Sequence, residues 1–316
     1  MKHQVDYLDL VMIRSCQLAC EGCCTFSDHK HINGLSDLVQ AEKALAHWLQ
    51  YITPARLHLF GGEPTMHPKL IEWFRMVHRH YDQTVWLNTN GYFLDKLFDH
   101  IKELFFDQRT SISVTHHTTD EPYSSLVLEN YSKLQYLIIE EYRRQKPSAT
   151  WEWKSETQWD TEYKKFLVLT DGYGVYVILS ITLQYLDFFV SHYKGHGPTL
   201  EPWHNYNDSD AKLKNHNVCH IKNYVQLYEG KLWKCPPRAV LNQTLETYNL
   251  QNNPKWLSYY RDYKPLDLTA SENEINEWFK RQNEVENTCN MCGFMYRHQN
   301  IAKQHLPKKL FKIKLS

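Results

Sequence analysis

The feature that most constrains the fold is an alternation of short apolar runs with amphipathic segments along the first 190 residues. The runs predicted to form strands are 7–13, 56–60, 84–87, 111–115, 150–154 and 174–183. The segments between the first five have apolar residues at helical spacing, and we predict helices over 36–52, after Pro68, over 94–104 and over 122–142. Such alternation favours right-handed crossovers and a parallel sheet. We therefore predict an α/β fold, a partial (β/α)6 TIM-like barrel.

Chemically distinctive segments follow the first four predicted strands. These segments are Cys16 to Cys23, Gly61-Gly62-Glu63-Pro64, Asn88-Thr89-Asn90-Gly91 and His116-His117. In barrels of parallel strands, function lies at the C-terminal ends of the strands. We therefore expect the functional site at that edge.

Composition and charge narrow the class of protein. The 316 residues carry 36 basic and 36 acidic side chains, which leaves no net field to recruit nucleic acid or a membrane surface. No run of about 18 apolar residues is present, and the first residues lack the apolar core of a signal peptide. We expect a cytoplasmic protein, in which eight cysteines serve as metal ligands or catalytic groups rather than disulfides.

The chain changes character after about residue 190. A turn-rich segment is followed by two alternating runs around Glu229-Gly230, typical of a β-hairpin, and by a helical pattern over 272–281. We predict a small C-terminal β-hairpin/helix domain that holds an auxiliary metal site. The predicted boundaries are 1–190 for the barrel, 191–218 for a linker or lid, 219–295 for the auxiliary domain and 296–316 for a basic tail.

The first cysteine segment has the spacing C-x3-C-x2-C, formed by Cys16, Cys20 and Cys23. Three thiolates on one loop can hold three irons of a four-iron cluster and leave the fourth iron open, as a catalytic site requires. With the Gly61-Gly62-Glu63-Pro64 turn after the second strand, this triplet resembles the radical S-adenosylmethionine (radical SAM) superfamily.

The resemblance implies that the open iron of a [4Fe–4S] cluster chelates the methionine part of SAM, whose amino group is held by Gly62 and Glu63. It also implies that a flavodoxin- or ferredoxin-type reductant supplies one electron. SAM is then cleaved to a 5′-deoxyadenosyl radical, which abstracts hydrogen from a substrate.

Other interpretations of this first site stay open. The triplet could be half of a zinc site completed by His29 or His31, and Cys24 could replace Cys23 as a ligand. The sequence also departs from the family in having Gly22 where an aromatic residue is usual before the third cysteine.

The second cysteine set has the pattern C-x10-G-x4-C followed by C-x2-C, formed by Cys219, Cys235, Cys289 and Cys292. This pattern resembles the Twitch domain, a shortened SPASM extension of radical SAM enzymes. The resemblance implies a fully ligated auxiliary [4Fe–4S] cluster. A structural four-cysteine zinc site is the alternative.

Further site residues are predicted from their positions at the strand ends. Asn88 and Asn90, with Ser113 or Thr115, are candidates for contacts to the ribose and adenine of SAM. His116 and His117 are candidate proton-transfer groups, and Lys154 could contact substrate. A plain turn, strand packing or a solvent-facing histidine pair would explain the same residues without a function.

These observations predict an oxidation of an unidentified small molecule or peptide, with the auxiliary cluster accepting an electron. A redox-neutral rearrangement or carbon–carbon bond formation is the second enzymatic hypothesis. A zinc-binding structural or interaction protein with two metal sites is the hypothesis from a different class.

Overall fold

The computed structural model of this chain describes most of residues 2–292. The described residues are 2–20, 23, 25–27, 29, 32–117, 121–147, 151–158, 162–169, 176–182, 193–194, 197–202, 210–219, 222–235, 237–260 and 263–292. They divide into two compact units, one formed by residues 1–55 and 186–316 and the other by residues 56–185. The predicted boundaries at residues 190, 218 and 295 stay a prediction.

The second unit is built on a sheet whose parallel strands carry helices between them. Its strands begin with β2 (Ile52–Gly61), of which the residues from Arg56 onward belong to this unit, and continue with β3 (Val85–Thr89) and β4 (Thr110–His116). β2, β3 and β4 pair in parallel in that order, and β4 pairs in parallel with β7 (Tyr176–Thr182). The predicted α/β class with a parallel-strand sheet is confirmed, and it is consistent with a partial TIM-like barrel.

The helical connections of this unit follow the predicted order with two local differences. α2 (Leu70–His78) and α3 (Tyr123–Gln145) occupy the segments predicted after Pro68 and Pro122. The single helix predicted over 94–104 is instead a 3₁₀ turn, Leu94–His100, followed by a π-helical turn, Lys102–Asp107. The apolar spacing of this segment indicates only that one face is buried, and Leu94, Leu97, Leu104 and Phe105 are indeed buried.

The last strands of this unit differ from the prediction. The run at 150–154 begins β5 (Trp151–Gln158), which pairs antiparallel with the unpredicted strand β6 (Glu162–Leu169), and β6 pairs antiparallel with β7. Only three residues separate β5 from β6, too few for the crossover of a dozen or more residues that a parallel pair needs. The expectation of a parallel fifth strand was therefore wrong.

The first unit pairs two strands that are far apart in the sequence. β1 (His3–Ile13) pairs in parallel with β10 (Tyr224–Tyr228), with Tyr7 opposite Tyr224 and Leu10 opposite Leu227. β10 and β11 (Lys231–Lys234) form the predicted antiparallel hairpin. Glu229 and Gly230 at its turn both have positive φ, of 51° and 77°, as a tight hairpin turn requires.

The described part of the first unit also contains five helices. They are α1 (Leu38–Trp48), α4 (Ala211–Val218), α5 (Arg238–Thr247), α6 (Pro254–Tyr260) and α7 (Glu272–Lys280), with two short strands, β8 (Tyr193–Lys194) and β9 (Glu201–Pro202). The prediction that Ser36 caps the first helix was wrong. Asp37 caps it by accepting from Gln40 N at 2.8 Å, whereas Ser36 Oγ donates to the carbonyl of Val11.

A buried apolar cluster in this unit joins the loop after the first strand to the C-terminal helices. Its members are Phe26, Ile32, Leu200, Val240, Leu241, Leu245, Trp256, Tyr259 and Met291. Among the described residues, no helix is long and apolar enough to cross a membrane.

Candidate functional site

The Gly61-Gly62-Glu63-Pro64 turn follows the end of β2 directly. Gly61 has φ of +148°, a conformation that a residue without Cβ adopts at little steric cost. Glu63 caps the 3₁₀ turn Pro64–Met66 by accepting from Thr65 N at 2.9 Å. Backbone and side chain therefore hold this turn in one conformation.

Glu63 is completely buried, and its carboxylate joins two loops of the second unit. One oxygen accepts from Thr65 N, Thr65 Oγ1 and, at 2.6 Å, Thr89 Oγ1, and the other accepts from Asn90 N at 2.7 Å. Burial raises the pKa of Glu63, and the hydrogen bonds from Asn90, Thr65 and Thr89 oppose that rise. The carboxylate therefore links the turn after β2 to the segment after β3.

Sequence reasoning did not find this link. It assigned no role to Thr65, which directly follows Pro64, or to Thr89, which lies between Asn88 and Asn90. Both carry the hydroxyls that a buried carboxylate needs. The predicted pairing of the Glu63 carboxylate with the amino group of SAM stays a prediction, as do the roles of Gly61, Gly62 and Pro64.

Asn88 lies on β3, Asn90 directly follows that strand, and Ser113 lies on the neighbouring strand β4, in different environments. Asn88 is half-buried, its Nδ2 lies 3.3 Å from His58 Nδ1, and its Cα partner across the ladder is Ser113. Asn90 is buried, its side chain accepts from Tyr92 N at 3.1 Å, and its carbonyl accepts from Tyr123 OH at 2.8 Å. Asn90 thus shapes the turn, while Asn88 and Ser113 remain partly accessible.

His116 and His117 lie at the end of β4. His116 is buried and its Nε2 lies 3.1 Å from Ser124 Oγ. Burial lowers the pKa of both histidines, and the charge of His116 lowers that of His117 further. Their proton-transfer roles stay predictions. Lys154 lies on β5 with its Cα opposite Phe166, and its side chain lies outside the described part of the structure.

The loop of Cys16, Cys20 and Cys23 follows β1 in the first unit. Cys20 is buried, Leu18 N donates to Cys16 Sγ at 3.4 Å, and Thr25 Oγ1 lies 3.0 Å from Cys23 Sγ. The backbone donor from Leu18 stabilises the thiolate of Cys16, and the thiolate is the form that binds iron. The donor set therefore fits the predicted cluster. Cys24 lies outside the described residues.

The zinc interpretation of this loop depended on a nearby histidine. His29 is buried, its Nδ1 lies 2.9 Å from Tyr248 OH, and its ring packs on Phe26 at 5.8 Å. His31 is not described. Within the described residues, no three His, Cys, Asp or Glu side chains are grouped as a single metal ion requires. A four-iron cluster makes a different demand, because each thiolate binds its own iron.

The four cysteines of the second set line one cavity in the first unit. Cys219 follows α4, Cys235 follows β11 with φ of +70°, and Cys289 and Cys292 lie in and after the 3₁₀ turn Asn287–Met291. The cavity brings together segments that are up to 73 residues apart. All seven described cysteines are reduced thiols.

Charge interactions link three of these four cysteines, Cys219, Cys235 and Cys289. Burial raises the pKa of Cys235 well above its usual value, and the negative charges of Cys219 and Cys289 raise it further. The positive charge of Arg238 lowers the pKa of Cys235, and that of Lys234 lowers the pKa of Cys289. Several buried thiolates are costly together unless cations offset them, so this donor set fits a cationic iron cluster.

Lys234 and Arg238 are site residues that sequence reasoning missed. Lys234 is buried, and its Nζ donates to the carbonyls of Arg281 and Glu284 and to Glu286 Oε1, at 2.8, 3.0 and 3.1 Å. Arg238 is buried and donates to the carbonyl of Tyr259 at 2.5 Å. Their position next to Cys235 in sequence was the available signal.

Comparison with known proteins supports the chemistry of the first motif. Residues 10–144 match the family model of the Radical SAM superfamily. The chain is 30% identical over 105 residues to GTP 3′,8-cyclase of Microcystis aeruginosa (strain NIES-843 / IAM M-2473), and the match covers 32% of this chain and 32% of that protein.

A solved structure, that of BtrN in complex with AdoMet and 2-DOIA, is similar to this chain over 92% of this chain and 94% of that chain, with 14% sequence identity and a TM-score of 0.47.

The match to the family model includes both the C-x3-C-x2-C loop and the Gly-Gly-Glu-Pro turn, the two motifs on which the resemblance rests. Residues 10–144 of this chain are therefore similar to the radical SAM superfamily.

Proposed function

We propose that this protein is a radical SAM enzyme that abstracts a hydrogen atom from a small-molecule or peptide substrate. The bound groups would supply reductive cleavage of SAM to methionine and a 5′-deoxyadenosyl radical. The observation that carries the proposal is the similarity of residues 10–144, which contain both motifs, to the radical SAM superfamily. The reductant would be a flavodoxin- or ferredoxin-type protein.

The chain's own residues have separate parts in this proposal. Cys16, Cys20 and Cys23 hold the SAM-binding [4Fe–4S] cluster, and the donor from Leu18 N to Cys16 Sγ supports the thiolate form of Cys16. The Gly61–Pro64 turn binds the amino acid part of SAM, and Glu63 keeps that turn in register with the end of β3. Asn88 and Ser113, both partly accessible, contact the nucleoside.

We further propose that Cys219, Cys235, Cys289 and Cys292 hold an auxiliary [4Fe–4S] cluster and that the reaction is a substrate oxidation. Support comes from the four thiols that line one cavity and from the buried cations beside them. Loss of a hydrogen atom leaves a substrate radical, and oxidation is complete when a second electron and a proton leave. The auxiliary cluster would accept that electron.

A second candidate is redox-neutral bond formation or rearrangement. The partial similarity to a cyclase favours it, although that match covers about a third of the relative. In that case the electron returns to the product or to SAM, and the auxiliary site has a structural role.

The test is production of 5′-deoxyadenosine by the anaerobically reconstituted protein supplied with SAM and dithionite. We expect the product from the wild type, none from Cys16→Ala, Cys20→Ala or Cys23→Ala, and retained activity in Cys24→Ala, the matched control on the same loop. A colourless protein that binds zinc at both cysteine sets and makes no 5′-deoxyadenosine would contradict the proposal.

The auxiliary site is tested separately with Cys289→Ala. We expect this variant to cleave SAM but to lose one of two clusters by iron content and by its electron paramagnetic resonance spectrum. Equal iron content in Cys289→Ala and wild type would contradict the auxiliary cluster and leave the SAM chemistry intact.

A further inference from the structure

The cavity of the four auxiliary cysteines is lined by charged side chains as well as by thiols. Two of them are basic, Lys222 and Lys234, and one is acidic, Glu286. Glu286 Oε1 accepts a hydrogen bond from Lys234 Nζ at 3.1 Å, so the acid is already paired with one of the two lysines. Apart from the cysteines, the charged lining therefore carries more positive than negative charge.

Lys234 is held at the cavity by the segment that precedes Cys289. Its side chain is 10% exposed, and its Nζ donates to the carbonyls of Arg281 and Glu284 as well as to Glu286. The carbonyl of Glu286 in turn accepts from Cys289 N at 3.0 Å. The ammonium is thus fixed beside the segment of a cysteine of the site, and a fixed charge needs no rearrangement when the charge of the site changes.

Lys222 is the more accessible of the two lysines. It is half-buried in the turn before β10, and its carbonyl accepts from Gln282 Nε2 at 3.2 Å, which ties its main chain to the residue after the end of α7. Burial lowers the pKa of His216, which lines the same cavity, and the positive charges of Lys222 and Lys234 lower it further. Both ammonium charges therefore act on the interior of this cavity.

Positive charges beside an iron–sulfur site have a defined consequence. Uptake of one electron by a four-iron cluster adds a negative charge to a site that already holds four thiolates. Fixed cations lower the free energy of this reduced state more than that of the oxidised state, so they raise the reduction potential. Because partly buried charges are screened less than exposed ones, the effect persists at physiological salt.

We propose that Lys222 and Lys234 raise the reduction potential of the auxiliary cluster, an inference that rests on the auxiliary cluster of the proposed function. In the oxidation step, the substrate radical loses one electron, which reduces this cluster, and one proton, which leaves to solvent. A higher potential gives that electron transfer a larger driving force. The two lysines act through their charge and exchange no proton.

The potential is measured by a redox titration followed by electron paramagnetic resonance. The sample is the full-length reconstituted chain with Cys16, Cys20 and Cys23 replaced by Ala, in which only the auxiliary cluster gives a signal. We expect Lys222→Met to shift the ratio of reduced to oxidised cluster at least about threefold toward the oxidised form, or about 28 mV at 59 mV per tenfold change. Lys222→Arg keeps the charge and should keep the potential of the parent.

Two controls separate charge from structure. Lys280→Met removes a positive charge from an exposed pair with Glu277 in the same unit, and it should leave the potential unchanged. The shift in Lys222→Met should become smaller at high ionic strength, because Lys222 is partly open to solvent. A shift caused by altered packing would not depend on salt.

Lys234→Met should shift the potential in the same direction by a larger amount, because this charge is more deeply buried. If Lys234→Met loses the cluster, Lys222→Met alone decides. Equal potentials in the parent, Lys222→Met and Lys280→Met, with unchanged iron content, overturn the inference and leave the auxiliary cluster in place. A parent with zinc instead of iron at the four cysteines overturns the auxiliary cluster and this inference together.

Discussion

At the scale of single residues, Glu63 stabilises the fold by linking the turn after β2 to the end of β3. Its carboxylate accepts hydrogen bonds from two threonines and from the backbone of Asn90 in a fully buried position. In Glu63→Gln, an amide NH₂ would face these donors, and we expect a loss of about 1–3 kcal/mol in the free energy of unfolding, measured by urea denaturation. Glu72→Gln, an exposed position on α2, is the control and should change stability little.

The same carboxylate makes stability depend on pH. Because burial raises the folded-state pKa of Glu63 above its ordinary value of 4.5, the folded chain holds this proton more tightly than the unfolded chain. This contribution is fully present below pH 4.5 and is lost as the pH rises through the raised pKa. We expect the wild type to lose stability relative to Glu63→Gln over the pH range above 4.5. A difference that is constant over this range would contradict the assignment.

Lys234 is the residue on which the auxiliary loop depends. Its buried ammonium donates to two carbonyls and to Glu286, all within residues 281–286 just before Cys289. We expect Lys234→Met to lower the free energy of unfolding by about 1.5–3 kcal/mol, since hydrogen bonds to a charged group are lost and acceptors stay buried. Lys231→Met on the same strand, where the lysine side chain is 44% exposed and pairs with Asp267 at 3.6 Å, is the control and should change stability much less in chemical denaturation.

At the scale of elements, the turn after β3 requires glycine. Gly91 has φ of +83°, and a Cβ there would lie 2.7 Å from Val114 Cγ1 and 2.8 Å from Val127 Cγ1. We expect Gly91→Ala to destabilise by about 2–4 kcal/mol, through backbone strain and overpacking together, in thermal or urea unfolding.

Two comparisons separate these causes. Gly34→Ala has the backbone strain of φ +117° but no atom within 4 Å of the added methyl, so it should cost less than Gly91→Ala. Val127→Ala combined with Gly91→Ala removes one of the two clashing methyls, and we expect its cost to be less than the sum of the single changes. Strict additivity would contradict the steric explanation.

The start of α7 depends on a reciprocal cap. Ser271 Oγ accepts from Glu274 N, and the Glu274 side chain accepts from Ser271 N at 2.8 Å. We expect Ser271→Ala to cost about 1 kcal/mol of stability by urea denaturation. Thr269→Ala, in the loop that precedes the helix, removes only an exposed contact to Asp267 and should cost less.

At the scale of the whole molecule, both cysteine sets belong to the unit formed by residues 1–55 and 186–316. A group that binds the folded chain stabilises the part that binds it. We therefore expect iron reconstitution to slow amide hydrogen exchange in α4 and in residues 287–292 more than in α2, measured by mass spectrometry. Cys219→Ala should lose the protection around the auxiliary cysteines and keep it in the loop that follows β1. Equal protection of all peptides would contradict this assignment.

Much of the architecture could be predicted because it depends on local pattern. Apolar spacing and turn residues located β1 to β4, α3, α7 and the hairpin around Gly230 within a few residues. The spacing of apolar residues did not reveal β6 or the antiparallel pairing of β5, because an apolar run gives no information about the strand with which it pairs. It also placed the first helix cap at Ser36, where Asp37 competed for the same role.

The sequence alone determined which chemical class we propose, because thiolate spacing and the Gly-Gly-Glu-Pro turn are local arrangements of a few residues. Only the tertiary structure decided that the hairpin pairs with β1, that Glu63 is buried under Thr89 and Asn90, and that Arg14 lies between Tyr228 and Gln243. These contacts join positions from 26 to 229 residues apart. Such pairs depend on packing and on the need to give buried charged groups hydrogen-bond partners. Neither requirement produces a repeating pattern of residues in the sequence.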